Sequence, residues 1–301
     1  MRLFVVNVLV FIACILIGVF IVFSKADGYT DAFYKRFTTP KQSNLIIGIS
    51  HAAQGIQPKV LKSELDRNFF NYAFSSAHSP YGPTYLKSIK RKLDKTHKNG
   101  IFILTVDPYS ISSWTKDPND SSSFRELNLC LANTPYVNIE PNFFYLLRNY
   151  NDKHLNLILK KDSIQFLHDD GWLEISINMD SVNVNKRIAS KIKTYKEDYL
   201  PKTNFSNTRL NYLENTVSFL KQHGQVFIVR LPVHPLMREI ENTYMPDFEE
   251  KIQKIITQSD GYLNFENEDA DYIYTDGNHL YKTSGEIVTQ KIAEWIKKVE
   301  Q

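Results

Sequence analysis

Short apolar runs alternate with amphipathic helical segments along most of the chain, and this alternation restricts the fold more than any other feature of the sequence. The runs are rich in Val, Ile, Leu and Phe and predict strands at residues 44–49, 67–74, 100–106, 225–231 and 262–265. Strands without polar alternation are buried on both faces, which is typical of a parallel sheet covered by helices. The sequence therefore predicts an α/β fold, a three-layer α/β/α domain with a five-stranded parallel sheet.

The helices predicted between these strands cover residues 57–65, 84–95, 210–223 and 247–258, and a last helix ends the chain. Thr283 and Glu286 have the spacing of a capping box at the start of that last helix. Residues 115–209 interrupt the alternation and are rich in Asn, Asp, Ser and Lys with interspersed aromatics. We interpret them as an insertion over the carboxyl edge of the sheet, either a lid or substrate platform or a solvated structural excursion.

The N-terminal segment is a candidate membrane span. Residues 3–23 are apolar except for Asn7 and carry no charge, and about 21 residues suffice to cross a ~30 Å hydrocarbon core as a helix. A cleaved signal peptide or a buried helix are the alternatives, but the run is long for a signal peptide and no A-x-A site follows it. The prediction is a single-pass anchor at residues 1–25, a connector at 26–43 and a domain at 44–301. The distribution of basic residues does not decide the orientation.

Several classes of function are disfavoured by composition and motifs. The net charge is +3 with acidic and basic residues mixed, so nucleic acid is not expected as a partner. Cys14 and Cys130 form no CxxC pattern, which argues against a disulfide framework or a thiolate zinc site. The sequence contains no HExxH, P-loop or dinucleotide motif. We therefore expect neither a metal nor another cofactor.

Two distant motifs carry candidate chemistry. Gly48-Ile49-Ser50 follows the first predicted strand, where Ser50 is either a nucleophile presented at the sheet edge or a turn residue. Asp276 and His279 lie in the loop before the last helix. This spacing can place a carboxylate beside an imidazole, where it holds the ring tautomer and stabilises the imidazolium of a catalytic triad.

These two motifs resemble those of the SGNH (GDSL-like) hydrolase superfamily, over residues 44–110 and 210–300. The resemblance implies a flavodoxin-like sheet, with Ser50 as nucleophile, His279 as general base and Asp276 as the orienting acid. The more specific likeness is to membrane-anchored bacterial members of the DltD and alginate-acetylation type. That likeness implies a domain on the outer side of the cell membrane.

The sequence departs from the family pattern at the expected oxyanion hole. The aspartate of Gly-Asp-Ser is Ile49, and Asp107-Pro108-Tyr109-Ser110 stands where a Gly-x-Asn-Asp block is expected. The block-two glycine is also absent, and Ser75 and Ser76 lie near its place. The backbone N–H groups of Ser50 and of the loop at Ser75 are therefore the expected oxyanion donors.

Other polar residues at predicted strand ends are candidate substrate contacts, namely His78, Arg230 and His234. For Arg230 a solvated or ion-paired role is the alternative, and for His51 a structural or rim role is expected. The function predicted is a serine esterase or O-acyltransferase acting on a cell-envelope polysaccharide, with no cofactor. Its partners would be an acylated polysaccharide or acyl donor and a membrane-bound O-acyltransferase. The alternative is a catalytically inactive scaffold or glycan-binding subunit.

Overall fold

The computed structural model describes residues 1–159 and 164–300, so four residues of the predicted insertion and the last residue of the predicted domain lie outside the described residues. The strands are β1 (Leu45–Ile47), β2 (Phe70–Asn71), β3 (Gly100–Thr105), β4 (Ser112–Ser113), β5 (Gln165–Leu167), β6 (Leu173–Ile175), β7 (Asn204–Phe205), β8 (Gly224–Arg230) and β9 (Gly261–Asn264). The helices are α1 (Arg2–Phe23), α2 (Ser50–Gly55), α3 (Pro58–Leu65), α4 (Pro83–Lys92), α5 (Cys130–Asn133), α6 (Phe143–Arg148), α7 (Asn156–Leu159), α8 (Ser181–Thr194), α9 (Asn207–Lys221), α10 (Pro235–Tyr244), α11 (Phe248–Gln258) and α12 (Lys282–Val299).

In the described part of the chain, a five-stranded sheet has the order β2-β1-β3-β8-β9, and all its neighbouring strands pair in parallel. Strand order changes direction beside β1, as in flavodoxin-like sheets, whose ligands bind beyond the carboxyl ends of the strands at such a point. The predicted five-stranded parallel sheet and α/β class are therefore confirmed.

Helices cover both faces of this sheet because successive side chains of each strand point to opposite sides. On one face Ile46, Ile103 and Val229 pack with residues of α3 and α12, including Leu61 and Ile292. The opposite face forms a second core in which strand side chains pack against α4, α9 and α11, for example through Leu45, Phe102, Tyr85, Leu213 and Ile252. The result is the three-layer arrangement that the apolar strands predict.

Several local predictions differ from the structure. Helices α2 and α10 were not predicted, and β2 covers only two of the predicted residues 67–74. The predicted capping box does not form, because α12 starts at Lys282 after Tyr281, which makes no side-chain cap. Instead, the hydroxyl of Ser284 accepts from the Ile273 N–H at 2.8 Å and secures the start of the helix.

The N-terminal helix α1 is exposed along most of its length. Among the described residues it is the one helix long and apolar enough to cross a membrane, with a mean hydropathy of 3.2. Its last residue differs from the rest, because Phe23 is only 3% exposed. The Phe23 ring lies 5.3 Å from that of Phe143 and 5.0 Å from that of His154. The end of α1 is therefore docked on the domain.

Candidate active site

Ser50 is presented by a tight turn between β1 and α2. Two residues, Gly48 and Ile49, separate the last residue of β1 from Ser50, the first residue of α2. Gly48 has φ +156°, and a Cβ built there would lie 1.9 Å from Thr105 Oγ1 on β3. Only glycine fits this approach to the neighbouring strand. The half-buried Ser50 consequently lies at the carboxyl edge of the sheet, at the point where the strand order reverses.

The structure brings Ser50, His279 and Asp276 together. His279 Nε2 lies 2.9 Å from Ser50 Oγ, and His279 Nδ1 lies 2.9 Å and 3.0 Å from the two carboxylate oxygens of Asp276. The backbone N–H groups of Asn278 and His279 both donate to Asp276 Oδ1 at 3.1 Å. The carboxylate can therefore accept the Nδ1 proton, which leaves Nε2 free to accept the proton of Ser50.

The electrostatics of the site suit a neutral imidazole beside an ionised carboxylate. Burial lowers the pKa of His279 below its usual 6.5 and outweighs the attraction of Asp276, and the positive charges of His51 and Lys191 lower it further. Burial alone would raise the pKa of Asp276, but charge attraction and hydrogen bonds from His279 and Lys191 hold it well below its usual value. At neutral pH His279 can thus act as a base.

Helix α8, which lies within the predicted insertion, contacts the loop that carries Asp276 and His279. Lys191 Nζ lies 2.9 Å from Asp276 Oδ2, and Arg187 Nε donates to Thr275 O at 2.7 Å. Ile188 packs next to Gly277: a Cβ built on Gly277 would lie 3.8 Å from Ile188 Cγ2. These α8 residues share one helix face by their spacing. At least this part of the insertion is therefore built against the candidate catalytic loop.

A second imidazole–carboxylate pair lies next to the first. His51 is buried, and its Nδ1 lies 3.2 Å from Asp107 Oδ2 at the end of β3. The His51 ring is edge-on to that of His279, with 5.6 Å between centroids. Burial opposes protonation of His51, but the hydrogen bond and charge of Asp107 prevail and raise its pKa. His51 is therefore a buried, paired histidine rather than a rim residue.

Among the described residues, the side chains of the other predicted contacts form no hydrogen bond or ion pair with the triad side chains. The Ser75 hydroxyl bonds His78 Nδ1 at 2.7 Å, and no hydrogen bond joins Ser75 to Ser50 among the described residues. His78 lines a separate cavity of about 620 Å³, and its ring lies 4.4 Å from that of Phe33. The backbone N–H of His234 donates to the carbonyl of Gly277, in the loop that carries Asp276 and His279, at 2.9 Å.

The predicted substrate contact of Arg230 is not supported by its surroundings. The side chain is only 2% exposed. Its guanidinium forms ion pairs with Glu249 at 3.0 Å, Glu266 at 3.1 Å and Glu241 at 3.4 Å. Because three carboxylates already neutralise this charge, Arg230, the last residue of β8, fits the ion-paired alternative.

Sequence reasoning did not single out Lys191 or the pairing of His51 with Asp107. Lys191 lies about 85 residues from Asp276 in a segment without a recognisable motif. The one available signal was Asp107, a carboxylate at the end of a buried strand, where sites of parallel sheets gather. Within the described ranges no cluster of three or more His, Cys, Asp or Glu side chains could hold a metal ion.

Comparisons with known proteins place this chain among remote structural neighbours only. No family model and no curated protein matches the sequence. An inhibitor-bound aryl esterase of M. smegmatis shares 9% identity, with 85% of this chain and 98% of that chain covered and a TM-score of 0.38. A carbohydrate acetylesterase of Sinorhizobium meliloti shares 10% identity, with 86% and 100% covered and a TM-score of 0.38. A family two carbohydrate esterase of Clostridium thermocellum, in complex with cellohexaose, shares 10% identity, with 86% and 65% covered and a TM-score of 0.40.

Lys191→Met is expected to move the acidic limb of the kcat/KM profile to higher pH. A general base is active when it is unprotonated, so with His279 in that role activity should rise as His279 loses its proton. Lys191 lowers the pKa of His279, and removing its charge should raise that pKa. The plateau should fall by about fivefold at most, since partly exposed ion pairs contribute up to ~1 kcal/mol. The measurement is kcat/KM for p-nitrophenyl acetate between about pH 5 and 9.

Lys193→Met is the matched control on the same helix, because its side chain is 73% exposed and its partner is Glu197, away from the catalytic loop. Its profile should coincide with that of the parent protein. A Lys191→Met profile with an unshifted acidic limb would contradict the assigned role of Lys191.

Proposed function

We propose that this protein is a serine-dependent ester hydrolase or O-acyltransferase of the SGNH type, with Ser50 as nucleophile. The observation that supports this most is the unbroken chain of contacts from Ser50 Oγ through His279 to the Asp276 carboxylate, with each distance at or below 3.0 Å. A serine hydroxyl becomes an effective nucleophile when an oriented base can take its proton. All three side chains lie at the carboxyl edge of a parallel sheet, where such folds bind ligands.

The reaction proceeds through an acyl-enzyme. His279 Nε2 takes the proton of Ser50 as Oγ attacks the ester carbonyl carbon, and the same proton passes to the leaving alkoxide as the C–O bond breaks. Water or a sugar hydroxyl then gives its proton to His279 and attacks the acyl carbon. The bond to Ser50 Oγ breaks, and Ser50 regains the proton from His279. Hydrolase and transferase differ only in this second acceptor.

The developing oxyanion needs hydrogen-bond donors, and a backbone amide is the first candidate. Ser50 opens α2, and the first N–H groups of a helix have no partner within it. The Asp107–Ser110 segment, which stands in place of the family's Gly-x-Asn-Asp block, has Tyr109 at the asparagine position and therefore offers no side-chain amide as a donor. This substitution favours the alternative function, an inactive glycan-binding scaffold, and it makes a direct chemical test necessary.

The proposed substrate is an acylated polysaccharide of the cell envelope. Helix α1 would hold the protein in the membrane with the domain outside the cytoplasm, within reach of such polymers. A membrane-bound O-acyltransferase would then be the natural donor of acyl groups if Ser50 passes them on. The support for this setting is the apolar helix and the sequence resemblance.

Covalent labelling separates the enzyme from the scaffold. A fluorophosphonate probe is expected to modify Ser50, identified by mass spectrometry of the labelled peptide, and to leave the Ser50→Ala variant unmodified. Prior treatment with an acyl fluorophosphonate inhibitor should block labelling of the parent protein. Absence of labelling on folded protein between pH 6 and 9 would favour the inactive scaffold. Acetylated oligosaccharide formed from p-nitrophenyl acetate and a sugar acceptor would identify the transferase.

A further inference from the structure

A second cavity lies at the same edge of the sheet as Ser50. It has a volume of about 210 Å³, and Trp114, Tyr199 and Arg125 contribute to its walls. Tyr109 also lines it, two residues after Asp107, the partner of His51. Ser76, in the loop that follows β2, lies on another side. We call this space the aromatic cavity.

The walls of the aromatic cavity present flat aromatic surface and a cation. Trp114 is 40% exposed and meets Tyr199 edge-on, with 4.4 Å between ring centroids. The Arg125 guanidinium lies 5.5 Å from the centroid of the Trp114 ring. Trp114 is exposed but is already held in place by these two neighbours. A ligand that packs on it would therefore cause little further loss of side-chain conformational entropy, as in recognition surfaces built on rigid aromatics.

Stacked tyrosines connect the aromatic cavity to the catalytic loop. Tyr195 and Tyr199 belong to a π-helical turn that continues α8, and their rings stack with 4.6 Å between centroids. The hydroxyl of Tyr195 bonds the side chain of Asn278, which lies between Asp276 and His279 in the chain. Turns of this kind occur often at functional sites. The wall of the cavity is therefore linked to the loop that orients the base through two stacked tyrosine rings.

Two polar atoms of the residues lining the cavity lack partners. Tyr109 Oη and Arg209 Nε are buried and form no hydrogen bond among the described residues, and the two side chains are only 5% and 3% exposed. The rest of the Arg209 guanidinium is engaged by Glu126, with its two bonds at 2.9 Å and 3.1 Å. Because each atom has almost no accessible surface, neither offers a hydrogen-bonding group to the cavity itself.

We propose that the aromatic cavity binds one sugar ring of the glycan whose ester reacts at Ser50, a proposal that rests on the proposed function. A pyranose has an apolar C–H face for Trp114 and hydroxyls for polar wall residues such as Ser76, Thr115 and Arg125, whereas an acyl chain would use only the apolar surface. The volume is smaller than the ~300–1,000 Å³ of sites for drug-sized ligands, so a single ring fits better than a longer segment. The positive charge of Arg125 also accommodates an acidic sugar.

The test compares a glycan ester with a small ester in the full chain. The glycan probes are acetylated oligosaccharides of xylose, of N-acetylglucosamine and of mannuronic acid, and the small ester is p-nitrophenyl acetate. Trp114→Ala is expected to lower the ratio of kcat/KM for the glycan to kcat/KM for the small ester by about tenfold or more, as for an aromatic anchor of a binding site. Arg125→Gln should lower it most for the mannuronate probe.

Tyr136→Ala is the matched control, because Tyr136 is an aromatic of similar exposure, 47%, packed on Phe144 outside the cavity. Its ratio should equal that of the parent protein. An unchanged ratio in Trp114→Ala for every glycan that is cleaved would overturn the proposed subsite and leave the proposed function standing.

Binding gives a readout that does not depend on turnover. The same three oligosaccharides, without acetyl groups, are titrated into the Ser50→Ala variant while tryptophan fluorescence is recorded. At least one should change the emission, and the change should be lost when Trp114 is also replaced by phenylalanine. No response to any of the three would overturn the subsite. If Ser50→Ala still cleaves p-nitrophenyl acetate, the proposed function fails, while this titration continues to test the cavity.

Discussion

Ser50→Ala is expected to lower kcat for ester cleavage by about 10⁶-fold, and His279→Ala by a similar factor, because triad members act as one unit. The double variant should be scarcely worse than either single variant. The physical reason is the direct 2.9 Å contact between Ser50 Oγ and His279 Nε2, without which no proton leaves the nucleophile. The measurements are turnover of p-nitrophenyl acetate and the acetyl content of the native glycan.

Ser63→Ala is a suitable control, because Ser63 is an exposed serine of α3 bonded to Val60 O. It should retain parent activity in both assays. Activity of Ser50→Ala within about tenfold of the parent would refute the hypothesis of a serine-dependent enzyme, because loss of a triad serine lowers kcat by several orders of magnitude. Loss of glycan acetylation in a protein without esterase activity would select the transferase.

Asp276→Asn is expected to lower kcat by about 10⁴-fold, the effect of the equivalent change in serine proteases. Asp276 Oδ1 accepts the backbone N–H groups of Asn278 and His279, so an asparagine would keep its oxygen there. Its NH₂ group would then face Lys191 and His279 Nδ1, both donors in the present arrangement. Because Nδ1 would then have to accept from this NH₂ group, the ring proton of His279 would move to Nε2. A protonated Nε2 can no longer accept the proton of Ser50.

Asp107→Asn is the matched control, because Asp107 is also a carboxylate paired with an imidazole. Its Oδ1 accepts the Ser110 N–H at 2.8 Å and its Oδ2 faces His51. His51 makes no hydrogen bond to Ser50 among the described residues, so kcat should fall much less than in Asp276→Asn. Folding of both variants is checked by thermal unfolding. Equal losses of kcat in the two folded variants would show that the Asp107–His51 pair contributes to catalysis as much as the Asp276–His279 pair.

The central strands of the fold were predictable because their apolar runs leave no exposed face. Strand β3 ends one residue before its predicted range, and β8 is shifted by one residue towards the N-terminus. The pattern at Pro232 and Pro235 does not distinguish the end of a strand from the start of a helix, and in the structure Pro235 occupies the first turn of α10. The capping box failed because a tertiary hydrogen bond of Ser284, invisible in the local pattern, secures the helix start.

The candidate triad was accessible from the sequence because each of its two motifs is local. Gly48 and Ser50 lie within three residues of each other, and Asp276 and His279 share one loop. Lys191 and Asp107 come close to the site only in the folded protein, so no spacing in the sequence predicts their position there. The same holds for Arg230, whose burial among carboxylates of α10, α11 and the 3-10 turn after β9 depends on tertiary packing.

The docking of Phe23 on Phe143 and His154 bears on where this protein can work. A flexible linker lets an anchored domain sweep a volume whose radius grows with the square root of linker length. Here Phe23, the end of α1, packs into the domain's own core. In the proposed membrane-anchored setting, Ser50 would therefore be held at a constant height and tilt above the lipid. That setting would favour polysaccharide chains still close to the membrane surface over those deeper in a wall.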